Sequence, residues 1–254
     1  MTSLAEILGR ARIRINTNYQ KSNNTGYVVD SIECRGITRL LHDSFYSNFK
    51  PMGRVRRQTA SSSRGAGEAF HRQIYHKYKC KVECTCKARF GKNTGVPKKG
   101  SSLEKRVKLF TKFLSDQQWY VYDCEMIVGC QEVHLATSID LVCVDNLINP
   151  SRVILVELKT GYAVHRKVPR TIDSTGMMTG IAGKHIPNTF SNQHQLQLWF
   201  CCEAFKRSHG IMPTDAAVVY VNDGRRVQAE FAAEWWFGKE AMRQKMFAQL
   251  IGQR

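Results

Sequence analysis

With 254 residues, 43% of them hydrophobic and 23% charged, the chain can bury a full core, and we expect one domain with an extension. No apolar stretch approaches the roughly 18 residues of a membrane span, and the N-terminus lacks the pattern of a secretion signal, which excludes the membrane and secreted classes and predicts a soluble, intracellular protein. The 38 Lys and Arg against 21 Asp and Glu give a formal net charge of +17, which favours nucleic acid as partner over a charge that only maintains solubility.

The first 64 residues show little periodic pattern. Because residues 1–64 are rich in basic and polar side chains, we predict a basic N-terminal extension, partly mobile, followed by a domain over residues 65–254. From Gly67 to Tyr78 the apolar residues recur every four positions, which predicts the first helix of that domain.

Two segments are predicted to be basic loops. Residues 77–108 hold eleven Lys or Arg against two Glu, and Lys98 and Lys99 are candidate contacts for a phosphate backbone. Residues 161–190 have no clear period, and a loop of this length inside a domain is typically functional. Its candidate phosphate contacts are Arg166, Lys167 and Arg170.

Apolar periodicity predicts the remaining elements. Three helices are expected at about residues 102–115, 192–208 and 239–251. Four strands are expected at about residues 119–128, 133–145, 152–160 and 216–221. Ser101 and Glu104 form a capping box at the start of the first of these helices.

Two acids and a lysine lie on the second and third predicted strands. If the strands pair about a turn centred on Ile148 and Asn149, Asp140 lies opposite Glu157, and Lys159 shares a face with Glu157. Like charges in this arrangement destabilise a sheet, and a bound cation would remove the penalty. The alternative is a set of partly exposed strand charges. The triplet favours a site that binds a divalent cation and hydrolyses phosphodiesters.

The order helix, three strands, helix, strand resembles the core of the PD-(D/E)XK nuclease superfamily, with Asp140 as the family's Asp and Glu157-Leu158-Lys159 as its E-x-K. Gly67-Glu68-Ala69-Phe70-His71 resembles the G-x-x-x-H helix of the RecB-like and λ-exonuclease-like branch, which includes viral alkaline nucleases. Gln195-Leu196-Gln197-Leu198-Trp199 resembles its Q-x-x-x-Y helix, with Trp in place of Tyr. The resemblance covers about residues 65–222. It implies an α/β fold with a restriction-endonuclease-like core, a mixed central sheet (αβββαβ) flanked by helices.

The resemblance also implies the chemistry of the site. Asp140 and Glu157 would bind one or two Mg²⁺ or Mn²⁺ ions with help from the Leu158 carbonyl, because hard cations take oxygen ligands. Lys159 would orient or deprotonate the attacking water and offset charge on the transition state.

Four further residues are assigned from the same motifs. His71 and Glu68 are candidate metal ligands, although each could instead be an ordinary helix residue, packed or solvated. Gln195 is expected to help hold the site in place, and Glu125 is expected to be a supporting or structural residue that does not bind the metal. Trp199 is expected in the core.

The nine cysteines, an odd number, predict free thiols in a reducing compartment. Some members of the family carry an iron–sulfur cluster whose last three cysteines follow the nuclease core. Since no cysteine follows Val221, no such cluster is expected. Free thiols are favoured over a zinc site, whose candidate ligands are Cys80, Cys84, Cys86 and His76.

The expected function is metal-dependent hydrolysis of DNA by an exonuclease that attacks linear ends during recombination, repair or replication. The alternatives are an endonuclease acting on DNA or RNA, a catalytically silent nucleic-acid-binding module with the same fold, and a transcription or packaging accessory. DNA is the expected partner, with a single-strand-binding or annealing protein as a second partner and no membrane. The expected location is the cytoplasm, or the host nucleus if the source is viral.

Overall fold

The computed structural model describes residues 4, 6–8, 20–21, 26–29, 32–45, 57–79, 97–130, 134–160, 186, 188–222, 226–232 and 240–251. The strands are β1 Gln20–Lys21, β2 Gly26–Val29, β3 Ile32–Gly36, β4 Tyr120–Cys130, β5 Leu135–Val144, β6 Val153–Lys159, β7 Asp215–Asn222 and β8 Arg226–Phe231. The helices are α1 Ile37–Phe45, α2 Arg57–Lys79, α3 Ser102–Asp116, α4 Phe190–His209 and α5 Glu240–Ile251.

The strands form one mixed sheet in which β5 is central. Neighbours follow the order β1-β2-β3-β5-β6-β7-β8, and β4 pairs antiparallel with the other edge of β5. Two strands share one edge of β5: β3 runs parallel to it at Leu135 and Ala136, whereas β6 runs antiparallel to it from Leu141 to Val144. None of the described strands pairs with residues 137–140 on this edge. The sheet therefore contains a notch beside the middle of β5.

The β5–β6 hairpin has the predicted register. Leu141 pairs with Val156, and Val144 pairs with Val153. Asp140 and Glu157 follow directly after the last pair of this ladder, where the two strands begin to separate. The turn that sets the register is fixed by Asp145, whose carboxylate accepts hydrogen bonds from the backbone N–H groups of Ser151 and Arg152 at 2.9 and 3.0 Å.

The helices form two layers, one on each face of the sheet. The α1–α4–α5 layer buries Phe45, Phe200 and Phe247, whose neighbouring rings lie 6.2 and 6.1 Å apart. The α2–α3 layer buries Phe70 and Phe110, which meet edge to face at 5.8 Å. Burial of each such ring contributes about 2–3 kcal/mol. The central strands are therefore packed against apolar side chains on both faces of the sheet.

The predicted elements of the domain are confirmed, with boundaries that shift by one or two residues except at α2, which begins at Arg57, ten residues before the predicted start. The capping box at α3 is present, because Ser101 Oγ accepts from the Glu104 N–H at 3.2 Å and Glu104 accepts from the Gly100 N–H at 2.6 Å. One strand, β8, is additional to the prediction. Its sequence alternates polar residues with Val227, Ala229 and Phe231, which is the pattern of a half-buried edge strand.

The described parts of the N-terminal segment contain strands and a helix that the sequence pattern does not predict. It supplies β1, β2, β3 and α1, and α1 buries Ile37, Leu40, Leu41 and Phe45 in the core. The expected boundary between residues 64 and 65 falls inside α2, which begins at Arg57. The described parts of the extension thus belong to the same sheet and core as the rest of the chain.

Five described cysteines are buried and are not part of a disulfide: Cys34, Cys124, Cys143, Cys201 and Cys202. Among the described helices, none is both long and apolar enough to pass through a lipid bilayer.

Candidate functional site

Glu125 of β4 and Asp140 of β5 lie where both strands change the face to which their side chains point. Cys124 packs in the α2–α3 layer and Met126 in the α1–α4–α5 layer, although simple alternation would put both on one face. The two residues that flank Asp140 show the same exchange. Since Cys124 pairs with Leu141 and the ladder resumes at Met126, the register sets Glu125 opposite Asp140.

The backbone at Glu125 is unusual. Its φ is 52°, in the left-handed region that non-glycine residues rarely adopt, at a cost of about 1 kcal/mol or more. Strain of this kind persists where the surroundings hold it and is concentrated at functional sites. The side chain is held as well, because Ser138 Oγ donates to Glu125 Oε2 at 2.7 Å.

His71 of α2 completes a group of three ligand-bearing side chains. Its Nδ1 lies 3.3 Å from Asp140 Oδ1 and 3.7 Å from Glu125 Oε1. One ligand atom from each of His71, Glu125 and Asp140 falls within 4.8 Å of the other two, a spacing that could hold a metal ion. We call these three residues the cation group.

Gly67 allows α2 to approach the sheet closely enough to place His71. A Cβ at Gly67 would lie 2.7 Å from Thr160 Oγ1, a distance that non-bonded atoms do not tolerate. His71 follows one helical turn later on the same side of the helix. Because Gly67 has no side chain, α2 can pack close to the sheet. This close packing brings His71, one turn later, to the carboxylates of Glu125 and Asp140.

The members of the cation group stabilise one another's charged forms in the metal-free protein. Burial lowers the pKa of His71, but the neighbouring Asp140 and Glu125 carboxylates outweigh it and hold the pKa well above the usual value. Burial raises the pKa of Asp140, but His71, Lys159 and the Leu158 N–H lower it by more, so the pKa lies below its usual value. An imidazolium between two carboxylates occupies the position that a metal ion would take, and binding of a cation would release its proton.

A second group adjoins the first. Glu157 Oε1 accepts hydrogen bonds from Lys159 Nζ at 2.5 Å and from Gln197 Nε2 at 2.7 Å, and Lys159 Nζ lies 3.3 Å from Gln197 Oε1. Burial and the nearby Asp140 carboxylate raise the pKa of Glu157 to about 7, although Lys159 acts in the opposite direction. Burial lowers the pKa of Lys159, but the Glu157 and Asp140 carboxylates raise it more. We call Glu157, Lys159 and Gln197 the lysine group.

The two groups are joined through Leu158. Its backbone N–H donates to Asp140 Oδ2 at 2.7 Å, so the side chain of Asp140 replaces a ladder partner where β5 and β6 separate. The metal contact assigned to the Leu158 carbonyl stays a prediction. The metal contact assigned to Glu157 also stays a prediction, because its Oε1 is bound by Lys159 and Gln197 and it is not one of the three residues of the cation group.

The other predicted site residues are placed as follows. Glu68 is exposed on α2 and is not one of the three residues of the cation group. Gln195 Nε2 lies 3.4 Å from the Glu230 carbonyl and faces β8 instead of the lysine group. Trp199 lies in the core, as expected. Lys98 and Lys99 are exposed just before α3, whereas the three candidate contacts in the 161–190 loop and the three candidate zinc cysteines lie outside the described residues.

Sequence reasoning gave Glu125 and Gln197 too small a role. Glu125 was assigned as support, yet its carboxylate lies among the candidate metal ligands. The available signal was the register with Asp140, which a hairpin alignment of β4 and β5 would have revealed. For Gln197 the signal was helical spacing, because His194, Gln197 and Cys201 recur at intervals of three and four residues and form one face of α4.

Comparisons with known proteins add little to this geometry. No family model matches the chain, and no curated protein matches it. A solved structure described as the crystal structure of SSO0001 is similar at 11% sequence identity and a TM-score of 0.30, over 74% of this chain and 74% of that one. A likeness this weak carries no argument about fold or function.

The donors of the cation group suit a small, hard or borderline divalent cation. Two carboxylates and an imidazole are typical ligands of Mn²⁺, and the carboxylates alone suit Mg²⁺, which retains several waters. The described part of the site contains no thiolate ligand, so the donor set does not favour a soft metal.

Proposed function

We propose that this protein is a Mg²⁺- or Mn²⁺-dependent nuclease that hydrolyses the phosphodiester bonds of DNA, most simply as an exonuclease on linear ends. The observation that carries the proposal is the meeting of the cation group with the lysine group where β5 and β6 separate. A restriction-endonuclease-like core is part of the proposal, and the order α2, β4, β5, β6, α4, β7 supports it.

The residues divide the hydrolytic work. Asp140, Glu125 and His71 would hold the cation, which when bound polarises the scissile phosphate and lowers the pKa of a water. Lys159, which the Glu157 and Asp140 carboxylates keep protonated, is assigned to orient the attacking water and to offset the negative charge that develops on the phosphate. Gln197 and Glu157 hold the Lys159 ammonium in place by two hydrogen bonds.

The charge of the chain supports a nucleic-acid substrate. A formal net charge of +17 attracts a polyanion at long range, and the exposed Lys98 and Lys99 belong to that surplus. Binding should therefore weaken steeply as salt rises. Affinity that hardly changes between low and moderate salt would remove this support.

The proposal is tested with end-labelled linear DNA and closed circular DNA, each incubated with Mg²⁺ or Mn²⁺. We expect the wild-type protein to degrade the linear substrate and Asp140→Ala to be inactive. Asp116→Asn is the matched control, because Asp116 is an exposed carboxylate that pairs only locally with Lys112 at the end of α3.

The outcomes separate the alternatives. Nicked circles would indicate an endonuclease. Cleavage of labelled RNA in the same assay would show that RNA is a substrate. If wild-type protein binds DNA but cleaves neither DNA nor RNA with either metal, the protein is a binding module and the proposal is wrong.

A further inference from the structure

The two carboxylates of the cation group are held in the same way. Asp140 accepts the Leu158 backbone N–H on Oδ2 at 2.7 Å, and its other oxygen, Oδ1, lies 3.3 Å from His71 Nδ1. Glu125 accepts the Ser138 hydroxyl on Oε2 at 2.7 Å, and its other oxygen, Oε1, lies 3.7 Å from the same histidine nitrogen. In each acid, one oxygen is therefore anchored to the sheet by a hydrogen bond, and the other lies beside the histidine.

The anchor of Glu125 is a side chain, whereas the anchor of Asp140 is a backbone group. Ser138 of β5 pairs with Ile127, which lies two residues after Glu125 on β4. The hydroxyl of Ser138 thus reaches Glu125 diagonally across the two strands, a distance that side chains of an antiparallel pair can bridge. A single substitution can therefore remove this anchor while the backbone pairing of β4 and β5 is retained.

The direction of the Glu125 side chain is not set by the strand alone. Its backbone φ of 52° departs from the strand conformation, so the regular alternation of the sheet does not determine where the carboxylate points. A glutamate side chain also has three rotatable bonds, and a ligand that must order them loses affinity. A hydrogen bond to one oxygen removes much of this freedom before a ligand binds.

We infer that Ser138 is a positioning residue of the cation group, which holds the Glu125 carboxylate with Oε1 towards His71. It acts through Glu125, because groups that orient a metal ligand change the affinity for the metal without contacting it. The inference rests on the proposed function, since it concerns the same site for Mg²⁺ or Mn²⁺.

The main test compares Ser138→Thr with Ser138→Val. The two new side chains have nearly the same shape, but only threonine can donate a hydrogen bond. In calorimetric titration of the metal-free protein with Mn²⁺, we expect the Thr variant to bind within about twofold of wild type. The Val variant should bind about tenfold more weakly, a typical loss when a metal ligand is no longer oriented by its partner. Equal affinities in the two variants would overturn the inference.

Two further variants control for bulk and for general loosening. Ser138→Ala removes the hydroxyl without adding a methyl group, and its Mn²⁺ affinity should match that of Ser138→Val. Ser191→Ala is the matched control, because Ser191 Oγ donates to Glu230 Oε2 at 2.8 Å and neither residue belongs to the cation group. We expect wild-type affinity in this control. A loss as large as that in Ser138→Ala would contradict the inference.

Crystal structures of the metal-free variants show the position of Glu125 directly. In Ser138→Thr, Oε1 should stay near its distance of 3.7 Å from His71 Nδ1. In Ser138→Val, the carboxylate should turn away or occupy more than one position. A carboxylate that has not moved in the Val variant would contradict the positioning role.

The measurements distinguish this inference from the proposed function. If the wild-type protein binds Mn²⁺ but cleaves no nucleic acid, the proposed function is wrong, and the affinities and variant structures still decide the role of Ser138. If the wild type cleaves DNA and Ser138→Val binds Mn²⁺ as well as Ser138→Thr does, only the positioning role is wrong.

Discussion

The acidic residues at the two ends of the β5–β6 hairpin have pKa values shifted in opposite directions. At the turn, Asp145 receives hydrogen bonds from two backbone N–H groups and from Ser151 Oγ, and these bonds lower its pKa to about 2. At the other end, Glu157 is buried beside Asp140, and its pKa rises to about 7. The turn acid is fully satisfied by the fold. Glu157 is not, because the Asp140 carboxylate lies close to it, and this local excess of negative charge is the property that a cation would use.

The largest expected contrast is between Glu125 and Asp145. Glu125→Gln removes a ligand charge while retaining an acceptor for Ser138, so we expect cleavage to fall about a thousandfold and Mn²⁺ affinity to fall with it. Calorimetric titration with Mn²⁺ and single-turnover cleavage measure the two effects. Asp145→Asn should leave both unchanged. Wild-type Mn²⁺ affinity in Glu125→Gln would remove Glu125 from the cation group.

The next contrast concerns pH. Since the pKa of Glu157 is raised from 4.5 to about 7, the native state binds more protons than the unfolded state in this interval, and the free energy of unfolding falls as pH rises through it. The total change is about 3 kcal/mol. Burial lowers the pKa of His194 to about 3 and that of His209 to about 4, so these two histidines act in the opposite direction below about pH 6.5. The Glu157 contribution is therefore expected as the difference between wild type and Glu157→Gln in urea denaturation with EDTA.

Two other groups with shifted pKa values also affect how the free energy of unfolding changes with pH. The raised pKa of His71 acts in the same direction, with stabilisation that is lost as pH rises above about 6.5. Asp145 acts oppositely, because its stabilisation is present above its unfolded pKa of 3.8 and is lost as pH falls towards 2. If the free energy of unfolding changes with pH in the same way in wild type and Glu157→Gln, the pKa of Glu157 is not raised in the native state.

A smaller effect is expected from the helix that carries His71. In Gly67→Ala the new methyl would meet Thr160 Oγ1, so the contact between α2 and Thr160 must open, and an outward shift of α2 would carry His71 with it. We expect about a tenfold loss of cleavage, which is the cost of misplacing a site group by a few tenths of an ångström. Thr160→Ala in the same chain should restore much of the rate. Gly65→Ala, where nothing lies within 4 Å of the new Cβ, should be active and slightly more stable.

The smallest effect belongs to the turn itself. Asp145→Ala removes the acceptor for the Ser151 and Arg152 N–H groups, but water can reach the turn and replace it. We expect a loss of about 1 kcal/mol in the free energy of unfolding and no change in cleavage per folded molecule. Loss of activity without loss of stability would mean that the turn communicates with the site.

The hairpin was predictable because several local signals agree there. Runs of β-branched and aliphatic residues on both strands, an Asn-Pro turn between them and the cost of a register slip all specify one pairing, and Asp140, Glu157 and Lys159 follow from it. The lysine group was therefore two-thirds visible in the sequence. Its third member, Gln197, competes with Gln193 and Gln195 on one helix, and only the packing of α4 decides between them.

The N-terminal elements were not predictable for a different reason. β1, β2 and β3 are two to five residues long, too short to show a period, and they are strands because β5 supplies an edge. The left-handed backbone at Glu125 is also set by the sheet around it, since glutamate has no preference for that conformation.

The shared edge of β5 has a consequence for synthesis. β3 pairs with residues that lie 100 positions further along the chain, at Leu135 and Ala136. While the ribosome extends the chain, the β2–β3 ribbon and the apolar side of α1 leave the exit tunnel long before their partner exists, and contacts of such sequence separation form late. During synthesis, the edge of β3 that faces β5 therefore has no pairing partner until the strand that carries Asp140 has been made.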